Sequence, residues 1–347
     1  MVKVKDLKWK KRLARAGFFL ILVFTIYLAG SVLRIKSDHG INQQDGMYWQ
    51  PKDSIDVVMM GTSHIHCNVN TGLLWEKYGI AAYDYSGAEQ PLWMTYYFLK
   101  EMYKYQSPSV VVIDVYAPAR FKEDYQYKWI AENIYGMRFS MNKLGMLSVS
   151  VEPSKLHKYF PSFAVYHSRY SELEKEDFEH FFWDSQEKEA FKGYTPYWSI
   201  VPQIRPQVSE EGKDGLTVKS EKYLRKIISY TKKKGTKLVL IVSPYVVTRG
   251  DMQTYNKIAE IAGEEGIDFI NYNEFYDEMG IDFEADFNDA SHLNYWGSCK
   301  FTDYLGEHLC SQQEIPDRRG QDGYDSWEEN AKLIKQELTD YENEVSE

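Results

Sequence analysis

Five apolar runs of strand length constrain this chain more than any other feature. They are IDVVMMG (55–61), AAYDYS (81–86), SVVVIDVY (109–116), KLVLIVSPY (237–245) and DFINYN (268–273). Runs that are apolar at successive positions suit strands buried on both faces, which is the habit of parallel sheets. Helical patterns alternate with them. TGLLWEKYG follows the first run and PLWMTYYFLKEMYKYQ the second. SEKYLRKIISYTKKKG and DMQTYNKIAEIAGEEG precede the fourth and fifth, each closing on a glycine, and NYWGSCKFTDYLGEHL comes last. Lysines in a last turn followed by glycine are helix-stop signals. The pattern predicts an α/β fold: a three-layer α/β/α arrangement around a five-stranded, mostly parallel sheet.

Three segments fall outside that alternation. Residues 121–217 carry no strand–helix repeat and are predicted to form a mainly helical insertion over one end of the sheet, inside a domain spanning 53–312. Residues 35–52 are polar, with Gly and Pro, and read as a linker. Residues 313–347 read as an acidic tail that either forms an amphipathic helix or stays solvated.

The N-terminus points to a membrane. A basic segment (1–15) precedes AGFFLILVFTIYLAGSVL, which holds no charged residue. At 1.5 Å per residue, roughly 18 residues nearly cross a hydrocarbon core about 30 Å thick. The basic flank is expected in the cytoplasm, with everything after Arg34 outside. An uncleaved signal-anchor over 16–34 is favoured over a cleaved signal peptide, whose apolar core is usually shorter.

Composition removes other classes. Across 347 residues, 44% are hydrophobic and 27% charged, so most of the chain is expected to be globular. A net charge of −10 disfavours nucleic-acid binding. Three cysteines with no Cys-x-x-Cys pair make neither a disulfide framework nor a structural zinc site.

Two short blocks carry the chemistry. In GTSHIHCN, Ser63 lies two residues past Gly61, at the carboxyl end of the first strand, where open α/β sheets bind ligands. A serine on a sharp strand-to-helix turn exposes its hydroxyl and offers its N–H to an oxyanion. In DFNDASHLNYWG, Asp289 and His292 stand three apart. Asp289 can orient His292, and His292 can serve Ser63 as general base.

These blocks resemble those of the SGNH/GDSL hydrolase superfamily, and in particular its membrane-anchored DltD-like and polysaccharide O-acetylation-like bacterial members. The resemblance covers about 54–309. It implies Ser63 as nucleophile and Asp289 and His292 as the other triad members. It also implies an oxyanion hole built from the N–H of Ser63 and that of Gly87 or Ser86 in DYSGAEQ. The family places an asparagine after the third strand. This chain has IDVYAPAR there, so Tyr116 or a backbone N–H would have to substitute.

Other candidates rank lower. His64 is expected to be a loop histidine with a substrate-facing role in reserve, not the base. His64 and His66 lack a nearby carboxylate pair, so no metal is expected. Asp286 is second to Asp289. His167 and Arg169, in the insertion, either bind an anionic substrate group or form an exposed ion pair. Cys67 is expected to pack.

The expected function is serine-dependent cleavage or transfer of O-acyl, such as acetyl, groups on a cell-surface glycopolymer of a bacterial, Gram-positive envelope. No cofactor is implied. The resemblance implies partnership with a membrane-bound O-acyltransferase. The alternatives are D-alanyl transfer to teichoic acid and a catalytically poor glycan-binding scaffold.

Overall fold

The computed structural model describes residues 2–160, 163–175, 177–178, 191–207 and 212–346. Much of the aromatic, acidic stretch between 172 and 190 lies outside them. The strands are β1 (Val57–Met60), β2 (Ala82–Asp84), β3 (Val110–Asp114), β4 (Lys237–Val242) and β5 (Asp268–Asn271). The α-helices are α1 (Val2–Leu33), α2 (Ile41–Met47), α3 (Ser63–His66), α4 (Thr71–Tyr78), α5 (Leu92–Met102), α6 (Ala117–Arg120), α7 (Ile130–Ile134) and α8 (Met141–Ser150). They continue with α9 (Phe163–Tyr166), α10 (Val218–Lys234), α11 (Arg249–Glu265), α12 (Tyr295–Gln312) and α13 (Asp325–Ser346).

The chain divides into two compact units: Met1–Lys36 with Pro153–Asp184, and Ser37–Glu152 with Ser185–Glu347. In the larger unit all five apolar runs become strands, each shorter than its run. The sheet is wholly parallel, in the order β2-β1-β3-β4-β5. Val57 sits opposite both Ala82 and Val110, and Val110 opposite Lys237. Both alternating residue sets of β1, β3 and β4 are buried, apart from Lys237 at the start of β4. That is why these runs carry no polar alternation. One set, including Val57, Met59, Val112 and Ile241, packs with Ile65, Leu74, Phe301 and Leu305. In this order the chain steps from β1 out to β2 on one side, and the connection from β2 returns past β1 to β3 on its other side. The crevice between the carboxyl ends of β1 and β3 is the switch point.

The helix stops written in the sequence are used. Thr217 and Thr248 cap α10 and α11 through their side chains, and Gly235 and Gly266 end them at φ of 72° and 64°. Asn70 caps α4, which stops at Gly79.

Two expectations are corrected. Residues 41–47 are a helix, not a linker. Ile41 and Met47 are fully buried, and the polar look is misleading because the buried amides bond to the backbone: Gln44 donates to the Glu132 carbonyl at 2.6 Å, and Gln43 accepts from Gly40 N–H at 2.7 Å. The 121–217 segment is not one insertion. Residues 121–152 belong to the sheet unit, where α8 packs on α5 and α7 on α2, whereas Pro153–Asp184 groups with the N-terminal helix. Of the two readings left open for the tail, the amphipathic helix is the one that forms. Helix α13 packs on α4, burying Trp327, Asn330 and Ile334.

The smaller unit contains one helix long and apolar enough to cross a membrane, over Lys8–Leu33. The carbonyls at its C-terminal end are met by two cations. Lys36 donates to Val32 O at 2.8 Å, and Arg169 to Leu33 O at 3.1 Å. Positive groups at a helix C-terminus complement its dipole. Asp177 neutralises both, lying 2.8 Å from Lys36 and within 3.0 Å of both terminal nitrogens of Arg169.

Candidate active site

The Ser63 turn is built by a glycine and a carboxylate. Gly61 follows β1 with φ at 144°, a backbone conformation that side chains disfavour. The carboxylate of Asp114, last residue of β3, accepts from Tyr116 N–H at 2.8 Å and from Ser243 N–H at 2.8 Å. It thereby ties together the loops that follow β3 and β4. Burial pushes the Asp114 carboxyl up to about 6, against the pull of these N–H bonds. After Gly61, Thr62 caps α3 by accepting from His64 N–H at 3.2 Å. Ser63 then opens the helix, at a position whose N–H has no intrahelical acceptor. From Ser54 to Gly72, Ser63 is the single residue that is not buried.

The second block is a tight loop closed by an isolated antiparallel bridge between Phe287 and Leu293. Asp289 Oδ1 accepts from Ser291 N–H at 2.7 Å and His292 N–H at 3.0 Å. His292 Nδ1 lies 3.0 Å and 2.9 Å from the two Asp289 oxygens. His292 Nε2 lies 2.8 Å from Ser63 Oγ. Partial burial works against the Asp289 charge. The hydrogen bond and charge of His292, with the two N–H donors, still hold its carboxyl well below the usual range. The loop is moored to the Ser63 turn by Asn68, whose Oδ1 accepts from Leu293 N–H at 3.0 Å, and to the loop after β4 by Val246 N–H on Ala290 O at 2.9 Å.

The other expected residues are placed differently. Gly87 N–H donates to Gly61 O at 3.2 Å and so is not aimed at an oxyanion. Ser86 Oγ is bonded to His66 Nδ1 at 2.9 Å. Tyr116 cannot offer its N–H, which Asp114 holds, and its hydroxyl stands 3.3 Å from Ser291 Oγ. His64 is fully buried and cannot touch a substrate. Its ring stacks on Tyr116 at 3.7 Å and sets its edge against His292 at 5.5 Å, so it is a wall of the site. Burial holds its pKa well below the ordinary value.

Asp286 is likewise structural. It accepts from Asp282 N–H at 2.7 Å and pairs with Lys300 at 2.6 Å. The guanidinium of Arg169 is taken by Asp177 and the α1 carbonyls, which leaves it no fork for a substrate anion. His167, beside it in the smaller unit, is exposed, with its ring 6.3 Å from Phe163.

Two contributors were not singled out from sequence: Asp114 and Asn68. A carboxylate ending an otherwise apolar strand, as in VVVID, was the available signal for Asp114.

Comparison with models of known protein families gives no match, and no curated protein matches the chain.

Proposed function

We propose that this protein is a membrane-anchored serine esterase or acyltransferase whose sheet domain lies outside the cytoplasmic membrane, as a three-layer SGNH-type fold. Its substrates are O-acyl groups, such as acetyl, on a cell-surface glycopolymer. The observation that carries this reading is the continuous chain Ser63 Oγ, His292 Nε2, His292 Nδ1, Asp289 carboxylate, with no link longer than 3.0 Å.

In this reading His292 removes the Ser63 proton as Oγ attacks the acyl carbonyl. Asp289 fixes the tautomer and stabilises the imidazolium. The tetrahedral oxyanion takes the Ser63 N–H. His292 then returns the proton to the leaving sugar oxygen, and water or a second hydroxyl collects the acyl group. A membrane-bound O-acyltransferase is the partner that this chemistry suits, because it delivers acyl groups across the bilayer to an outward-facing serine.

A second reading, a glycan-binding scaffold with poor catalysis, is favoured by one observation: the Gly87 N–H is spent on Gly61 O. A missing oxyanion donor typically costs roughly 100–1000-fold in rate.

The test is labelling of the full-length protein in detergent with a fluorophosphonate. Wild type is expected to label, and Ser63→Ala not at all. Equal labelling of Ser63→Ala, or no labelling of folded wild type, overturns the serine mechanism. Loss of wall-polymer acetyl esters, against loss of D-alanyl esters, in a Ser63→Ala strain separates the acetyl reading from the D-alanyl one.

A further inference from the structure

Behind the Ser63 turn, three potential metal donors converge from two separate chain segments. His66 ends α3, Cys67 follows it, and His39 comes from the turn that precedes α2. Their donor atoms all lie within 4.8 Å of one another. We infer that His39 Nδ1, His66 Nε2 and Cys67 Sγ form a binding site for a divalent cation of zinc type, with three protein ligands and a fourth position left for water or another ligand.

Geometry and outer contacts support this. His39 Nδ1 and His66 Nε2 are 3.3 Å apart. Two nitrogens at roughly 2.0–2.1 Å from a tetrahedral zinc ion stand roughly 3.3 Å from each other. Two ring nitrogens this close are bridged either by an N–H···N hydrogen bond or by a cation. The third donor distinguishes the two cases, because a hydrogen bond between imidazoles gives no reason for a sulfur beside it.

The buried donor His66 also has an outer partner that orients its ring. His66 Nδ1 is bonded to Ser86 Oγ at 2.9 Å, which leaves Nε2 directed at the site. His66 and Cys67 are fully buried, whereas His39 is partly exposed, so a cation would enter past His39.

A set of two imidazoles and one thiolate suits zinc over magnesium or calcium. On binding, the Cys67 thiol releases its proton to solvent and its sulfur joins the ion. The consequence for the fold is a clamp: the ion would tie the turn before α2 to the turn carrying Ser63.

The test uses the full-length protein purified in detergent, stripped with a chelator and titrated with Co²⁺. Stoichiometric uptake with a near-ultraviolet thiolate-to-cobalt charge-transfer band, displaced by Zn²⁺, is the expected result. Cys67→Ser should lose that band. His39→Gln, changed at the partly exposed ligand, and Ser86→Ala, changed in the outer layer, should each weaken binding by roughly tenfold or more. Circular dichroism of each variant shows that it is folded. No band in folded wild type, a band that survives Cys67→Ser, or affinity unchanged in folded His39→Gln overturns the site. Ser63→Ala should bind Co²⁺ as wild type does, so this inference fails or stands apart from the serine mechanism.

Discussion

Gly61 and Asp114 approach so closely that a Cβ on residue 61 would stand 2.9 Å from the Asp114 carbonyl oxygen. Gly61 also holds φ at 144°. Space and backbone conformation therefore both demand glycine at the point where β1 turns toward Ser63. Gly61→Ala should destabilise the protein by about 2 kcal/mol or more, from combined overpacking and backbone strain. It should also slow fluorophosphonate labelling, because the turn that aims Ser63 has to shift. Urea unfolding measures the first effect; an unchanged midpoint would show that the turn relaxes without cost.

The Asp289 carboxylate faces His292 Nδ1 and also accepts from the Ser291 and His292 N–H groups. Its side chain is half exposed, so Asp289→Asn leaves no buried hole. The amide can still occupy the same place, but it cannot stabilise an imidazolium. The rate of ester cleavage or labelling should fall on the order of 10⁴-fold, by analogy with the same substitution in the serine protease triad. The fold, followed by circular dichroism, should not change. A loss smaller than tenfold would show that His292 works without this carboxylate.

Asp114 makes stability depend on pH with a definite sign. Its pKa in the folded protein, about 6, lies above the ordinary carboxyl value, so the folded state holds this proton where the unfolded chain has already released it. The contribution is greatest below the unfolded pKa and is lost as pH rises through about 4 to 6. Asp114→Asn removes this titration. The stability advantage of wild type over the variant should therefore shrink as pH rises across that window, read from denaturant unfolding at a series of pH values. A gap that is constant, or that widens, would show that Asp114 is already ionised throughout.

Trp327 anchors the C-terminal helix. It is fully buried, its indole N–H donates to Ala82 O at 3.1 Å, and the Lys192 ammonium lies 4.3 Å from its ring centre. Trp327→Ala should cost roughly 3–5 kcal/mol. It should also open 325–346 to proteases before the rest of the domain. Digestion that leaves this helix as protected as in wild type would show that α13 is held by other contacts.

Much of this architecture was legible in the chain. All five strands lie inside the apolar runs that predict them; β1, β3 and β4 are buried on both faces and so are apolar almost throughout. Caps and glycine stops act locally, so α4, α10 and α11 begin and end close to where the residues say. Ser63, Asp289 and His292 were legible as well, since each stands in a short block whose residue types have a chemical reason.

What the sequence could not disclose depends on partners far away in the chain. The stretch 41–47 looks polar, yet Gln43 and Gln44 are buried with their amide N–H groups donating to carbonyls supplied by other segments, Gly193 O and Glu132 O. The acidic tail could as well have been solvated, until α4 offered the face on which Trp327 is buried. Gly87 follows the expected strand, but tertiary packing gives its N–H to Gly61 O instead of to the site. His39 and His66 are separated by an entire strand and come within 3.3 Å only because the fold closes there. Periodicity, caps and short motifs are local and are written in the sequence by itself. Which donor meets which acceptor across the sheet is a property of the closed fold, and only the tertiary structure decided it.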